Sequence, residues 1–96
     1  MSKAYWIASY IEISDADKLA SYAALALPAI TAAGGTFLAR GIPDATREAG
    51  QTTRTVIVEF ESVAAAEAAY ESDAYAEALA LLGDGALRDI RIIAGA

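Results

Sequence analysis

The chain has 96 residues, the length of one domain (residues 1–96) that can bury roughly 60–65% of its unfolded surface. Thirteen acids against seven bases give a net charge of −6, too few cations for a nucleic-acid partner, whose phosphates demand clustered Lys and Arg. Neither histidine nor cysteine occurs; disulfides, a cysteine nucleophile and a histidine base are excluded, and zinc and haem lose their usual ligands. No metal and no cofactor is expected.

Residues 4–13 are rich in aromatic and β-branched side chains and read as a first strand. One face carries Tyr5, Ile7, Ser9, Ile11 and Ile13, the other Trp6, Ala8, Tyr10 and Glu12. Both faces are largely apolar, which implies burial from two sides. Ser9 and Glu12 interrupt any apolar run, so no signal peptide is read and a cytoplasmic protein is expected.

Ser14 or Asp15 caps a helix with Asp17 in its first turn. Leu19, Tyr22, Ala26, Ala29, Ile30 and Ala33 follow the helical period as its buried stripe. Pro28 is expected to kink or restart this helix, and Gly34 to cap its end. Residues 19–39 hold no charge, a length that could span a bilayer. Alanine content, Pro28 and the Gly34-Gly35 pair argue against a membrane segment.

Residues 36–41 form a second strand, 42–52 a long hairpin loop, and 53–60 a third strand. Ser62 caps a second helix with Val63, Ala66 and Tyr70 inward, and Ser72 recaps a following turn and helix through Tyr75, Ala78, Leu79 and Leu82. Gly83 and Gly85 stop it before a fourth strand at 88–93. The order βαββαβ is α+β and ferredoxin-like: a four-stranded antiparallel sheet with the first and third strands central and the helices on one face. The uncovered face keeps apolar groups that monomers rarely expose. A homodimer through that open sheet face is the expected partner arrangement.

Several ordered segments carry a family likeness: Tyr5-Trp6-Ile7-Ala8, Asp15, Gly34-Gly35-Thr36-Phe37-Leu38-Ala39-Arg40-Gly41, Arg54-Thr55-Val56-Ile57-Val58-Glu59-Phe60 with Ser62, and then Tyr70, Ser72 and Tyr75. Together they resemble the domain-of-unknown-function 1330 family of the dimeric α/β-barrel superfamily. The resemblance implies a dimeric α/β barrel with a small pocket between sheet and helices, and a function in the range of cofactor-less monooxygenases, lactone isomerases, haem enzymes and proteins without known reaction. The first strand is one residue longer than is usual there, which suits a β-bulge. Glu61 and Ala16 stand where relatives often have proline.

Arg40 and Arg54 flank the hairpin loop, where two guanidiniums could fork onto a carboxylate or phosphate. The competing reading pairs each with Asp44, Glu48 or Glu59. Tyr5, Tyr22, Tyr70 and Tyr75 are cleft candidates or plain core tyrosines. Glu59 is a general-base candidate if desolvated, or one half of an ion pair. Tyr70 and Tyr75 join it as catalytic candidates, and Arg40, Arg54, Tyr5 and Ser9 as ligand-binding ones. Without histidine, Ser9 has no triad to join. The function expected is a cofactor-less enzyme on a small, anionic or aromatic organic molecule; the alternative is a non-catalytic ligand-binding or structural dimer.

Overall fold

The computed structural model describes residues 2–96. Its elements are β1 (Ala4–Ile13), α1 (Ala16–Ala32), β2 (Thr36–Gly41), β3 (Thr55–Phe60), α2 (Val63–Tyr70), α3 (Asp73–Leu82) and β4 (Ala86–Ala94). The strands form one antiparallel sheet in the order β2-β3-β1-β4. The central pair is the expected one, and the helices lie on one face.

Alternation along the central strands separates the two faces. Ala4, Trp6, Ala8 and Tyr10 of β1 are buried beneath the helices, beside Val56, Val58 and Phe60 of β3. Antiparallel register sets Ala4 opposite Phe60, Trp6 opposite Val58 and Ala8 opposite Val56; paired residues point the same way, so these rows coincide. From above come Tyr22, Ala26 and Ile30 of α1, Ala66 and Ala69 of α2, and Tyr75, Ala78 and Leu82 of α3. Trp6 is the hub, stacked on Phe60 at 6.1 Å and edge-on to Tyr75 at 5.1 Å between centroids. Each such pair adds about 0.5–1.5 kcal/mol to the burial itself.

The helix starts are set by side-chain caps that satisfy otherwise orphaned amides. Asp15 accepts from the Asp17 and Lys18 amides, each at 3.0 Å, and Ser62 accepts from Ala65 at 3.0 Å. Ser72 serves two helices: its hydroxyl donates to Ala69 O of α2 at 2.8 Å and accepts the Tyr75 amide of α3 at 3.2 Å. That joint turns Tyr75 into the core.

Several expectations change. The sheet is open, with β2 and β4 as its edges, so the expected dimeric α/β barrel is corrected to an open four-stranded sheet in a single chain. Four strands twisting roughly 20–25° per neighbour do not come round far enough to join. Pro28 does not break α1, which runs through it; Pro28 and Ala24, the residue whose carbonyl loses its helical donor, are both exposed, where water can replace the bond. The β1 register does shift between Tyr10 and Glu12. A second shift, between Phe37 and Ala39 of β2, has no counterpart in the expectations. No helix among the described residues is long and apolar enough to cross a membrane.

Gly34 and Gly35 do different jobs between α1 and β2. Gly34 takes φ +100° with open space around its α-carbon, a conformation that glycine adopts cheaply. Gly35 is buried, and a Cβ there would stand 2.6 Å from Ile30 Cγ2, 2.8 Å from Val58 Cγ1 and 2.9 Å from Phe60 Cζ. Gly35→Ala is expected to cost about 1–3 kcal/mol through overpacking, read as a lower midpoint in urea unfolding.

Candidate functional site

Three arginines meet at one end of the sheet, and register explains how. The Tyr10 amide donates to Arg54 O at 2.9 Å, and on its other side Tyr10 pairs with Arg88 of β4. Cross-strand neighbours share a face, so Arg54 and Arg88 flank Tyr10 beneath the helices. Their guanidinium carbons lie 5.8 Å and 5.7 Å from its ring centroid, within cation–π range. Arg40 arrives by way of the β2 bulge. Phe37 pairs with Val58 and Arg40 with Val56, with Leu38 as the extra residue. Without the bulge, Phe37 and Arg40 would point to opposite faces.

Above this row the helical layer leaves space. A cavity between the sheet and α1 comprises about 450 Å3 of empty space, its mouth included, of which about 40 Å3 admits the centre of a water molecule. Trp6, Ala8, Val56, Val58, Phe37, Leu19, Ala23, Ala26, Leu27 and Ile30 give it apolar walls. Tyr10, Tyr22, Arg40, Arg54 and Arg88 supply its polar atoms. Among the described residues the ion pairs are Lys3–Glu59, Lys18–Asp84 and Arg91–Asp89. Among the described residues none of the three cavity arginines has a carboxylate partner, and the buried Nε of Arg54 has no hydrogen-bond acceptor.

Arg88 is held instead by two tyrosines. Its Nη1 donates to Tyr22 Oη at 2.9 Å and to Tyr75 Oη at 3.3 Å, and the two hydroxyls are 2.7 Å apart. Burial raises both phenol pKa values above the ordinary 10.0. Burial alone would weaken protonation of Arg88, but the tyrosine oxygens outweigh it and the net shift is upward. Arg88 therefore remains a cation in a half-buried, largely apolar layer.

The residues singled out from sequence fall into three places. Arg40 and Arg54 line the cavity, with Tyr22 beside them. Tyr75 is fully buried behind Tyr22, and Tyr70 packs against Trp6 and Tyr75 at the edge of the aromatic cluster; neither contributes to the cavity wall. Tyr5, Ser9 and Glu59 occupy the opposite, uncovered face. There Tyr5 Oη donates to Glu59 Oε2 at 3.2 Å, and Lys3 Nζ approaches Oε1 at 3.4 Å. Ser9 lines a separate hollow of that face with Ile7, Thr55 and Arg91, larger than the cavity under α1 at about 530 Å3 open to a water centre. Tyr10 and Arg88 are the polar cavity residues that sequence reasoning missed. The signal for Arg88 was present: Arg88, Ile90 and Ile92 alternate in phase on one face of β4. Among the described residues no cluster of acidic side chains could hold a metal ion.

Comparison with known proteins adds family and fold. A family model described as "Domain of unknown function (DUF1330)" matches residues 3–96. No curated protein matches the chain. Among solved structures, a protein of unknown function from Rhodopseudomonas palustris superposes with a TM-score of 0.69 at 19% identity, over 97% of this chain and 80% of that one. A protein from Caulobacter crescentus, described as a candidate antibiotic biosynthesis monooxygenase, gives 0.63 at 14% identity over 99% and 91%. A dimeric ferredoxin-like protein of unknown function from Thermobifida fusca gives 0.58 at 15% identity over 97% and 91%. At these identities the likeness is one of fold.

The tyrosine pair makes stability depend on alkaline pH. With folded pKa values above the unfolded 10.0, the unfolded chain loses phenolic protons first, so stability is full below about pH 10 and falls as pH rises above it. Urea unfolding midpoints should drop as pH rises above about 10, and less steeply once Tyr22 and Tyr75 are both replaced by Phe. An equal drop in that double variant would remove the pair as the cause.

Proposed function

The chain belongs to the DUF1330 family, and from that premise we propose that it binds a small organic anion with an apolar body in the cavity between the sheet and α1. One observation carries the reading: in a protein of net charge −6, Arg40, Arg54 and Arg88 line a single apolar cavity and none has a carboxylate partner. Arg40 is exposed, but Arg54 and Arg88 are half-buried; held so without a counter-ion, their desolvation is uncompensated, and a ligand carboxylate or phosphate would restore the balance by forked hydrogen bonds. The apolar walls suit a small hydrocarbon or aromatic body; with only about 40 Å3 open to a water centre, the side chains around it must move apart to admit one.

Catalysis is the second reading, in the manner of a cofactor-less oxygenase or isomerase acting on the same molecule. It is supported by the fold shared with proteins described as candidate monooxygenases and by a tyrosine hydroxyl at the cavity wall. Against it stands the lining itself, which contains no carboxylate; Glu59 faces away. A reaction there would draw its reactivity from the substrate, with the arginines stabilising developing negative charge.

The proposal includes a homodimer formed through the uncovered sheet face. Ile7 and Ile57 are half-buried there, and Leu87 and Ile93 of β4 are each 57% exposed on the same side, an apolar strip that a second copy would cover. The Thermobifida fusca protein of the same fold is described as dimeric.

Two measurements bear on these readings. Arg54→Ala should weaken binding of an aromatic carboxylate such as benzoate by about 1.5–3 kcal/mol, the scale of a hydrogen bond to a charged group, while the melting temperature moves little. Unchanged affinity with a large loss of stability would assign Arg54 to the fold instead. Light scattering at micromolar concentration should give about twice the chain mass, and Ile93→Asp should return it to a monomer. A monomeric wild type would end the dimer proposal.

A further inference from the structure

A finer assignment rests on the anion-site reading of the cavity and comes from counting protons around Arg88. Nη1 of Arg88 supplies a hydrogen to each tyrosine oxygen, and the Tyr22–Tyr75 bond at 2.7 Å uses one phenolic proton. One phenolic proton is left over. Tyr75 is 0% exposed, off the cavity wall, and has no other side-chain acceptor among the described residues. If Tyr22 were the donor, the proton of Tyr75 would be stranded in the core, which is costly. Tyr75 therefore donates to Tyr22. Tyr22, 6% exposed and on the cavity wall, then keeps a proton for which the protein offers no acceptor.

We infer that Tyr22 donates this proton to the bound molecule, so that the site selects a head group made of acceptors alone, a carboxylate or similar oxyanion, over a neutral amide of the same shape. Around the head group stand the N–H groups of Arg54 and Arg88 and the O–H of Tyr22, all donors. Both lone pairs of the Tyr22 oxygen are already engaged, by Arg88 and by Tyr75. An amide N–H would meet only donors, and a site built that way discriminates strongly. Tyr22 is thus the specificity-determining residue. Tyr75 is a positioning residue that fixes which way the Tyr22 proton points.

Calorimetric titration with benzoate and with benzamide, on the wild type and on three variants, tests this. Benzoate should bind the wild type and benzamide far more weakly. Tyr22→Phe should lower benzoate affinity roughly 10-fold or more. Tyr75→Phe frees a lone pair on Tyr22, so benzamide binding should improve while benzoate binding stays nearly unchanged. A merely structural role for Tyr75 would move both ligands together and would overturn its assignment. If Arg54→Ala weakens benzoate but Tyr22→Phe does not, the anion site stands and the Tyr22 inference fails alone. If benzoate does not bind the wild type, or binds Arg54→Ala equally well, the cavity reading fails with it. Should Tyr22→Phe not fold, wild-type protein isotope-labelled at the tyrosine Cζ decides the matter by NMR. Benzoate, and not benzamide, should shift the Tyr22 resonance; no shift on saturation overturns the inference.

Discussion

Tyr10 lies between two guanidiniums on the buried side of the sheet, and much of the architecture at that end can be understood as accommodating them. Arg54 and Arg88 cannot ionise away, since guanidinium keeps its charge in proteins. They stand in a layer whose other members, Arg40 apart, are aliphatic side chains and aromatic rings. Ring faces and tyrosine oxygens give partial compensation, cation–π contact to Tyr10 and Tyr22 and hydrogen bonds to the hydroxyls of Tyr22 and Tyr75. No acid completes it. The acids of this chain are spread over its surface, and those that pair do so with Lys3, Lys18 and Arg91.

The helical layer is built asymmetrically around that end. Beneath α2 and α3, Trp6, Phe60, Tyr70 and Tyr75 fill the space between sheet and helix with large rings. Beneath α1 the facing residues are Leu19, Tyr22, Ala23, Ala26 and Ile30, and the two alanines leave a gap that larger side chains would close. Alanine-rich composition, which gives little burial per residue, thus has a local consequence. It stabilises thinly, and over β1 and β3 it leaves a small gap. The aromatic end supplies the cohesion that the alanine end lacks.

Two bulges and a glycine pair convert a regular fold into this particular site. The shift after Tyr10 ends the regular alternation of β1 just where the arginine row stands. The shift at Leu38 brings Arg40 to the same side as Phe37. Gly35 lets β2 enter tightly against Ile30, Val58 and Phe60, which fixes the height at which Phe37 and Arg40 meet the cavity. Each bulge is a one-residue feature that changes which face the side chains beyond it occupy.

Local physics was legible in the chain. Period-2 and period-3.6 patterns gave the elements and their order, Ser14 or Asp15, Ser62 and Ser72 marked the helix starts, and the family resemblance suggested the β1 bulge through one extra residue. Arg40 and Arg54 were visible as a pair because they border one hairpin. What the tertiary structure decided depends on pairings between residues far apart in sequence. Glu59 faces Tyr5 and Lys3 on the uncovered side. Arg88 meets Tyr22 and Tyr75 from two other elements. Arg40 reaches the cavity only because β2 slips by one residue against β3, and the sheet stays open because four strands do not curve far enough to close. Periodicity and caps are set by neighbours within a few residues, so sequence alone determines them. Register and the coincidence of rows across strands are set by the packing of the whole sheet against its helices, and only the folded chain fixes those.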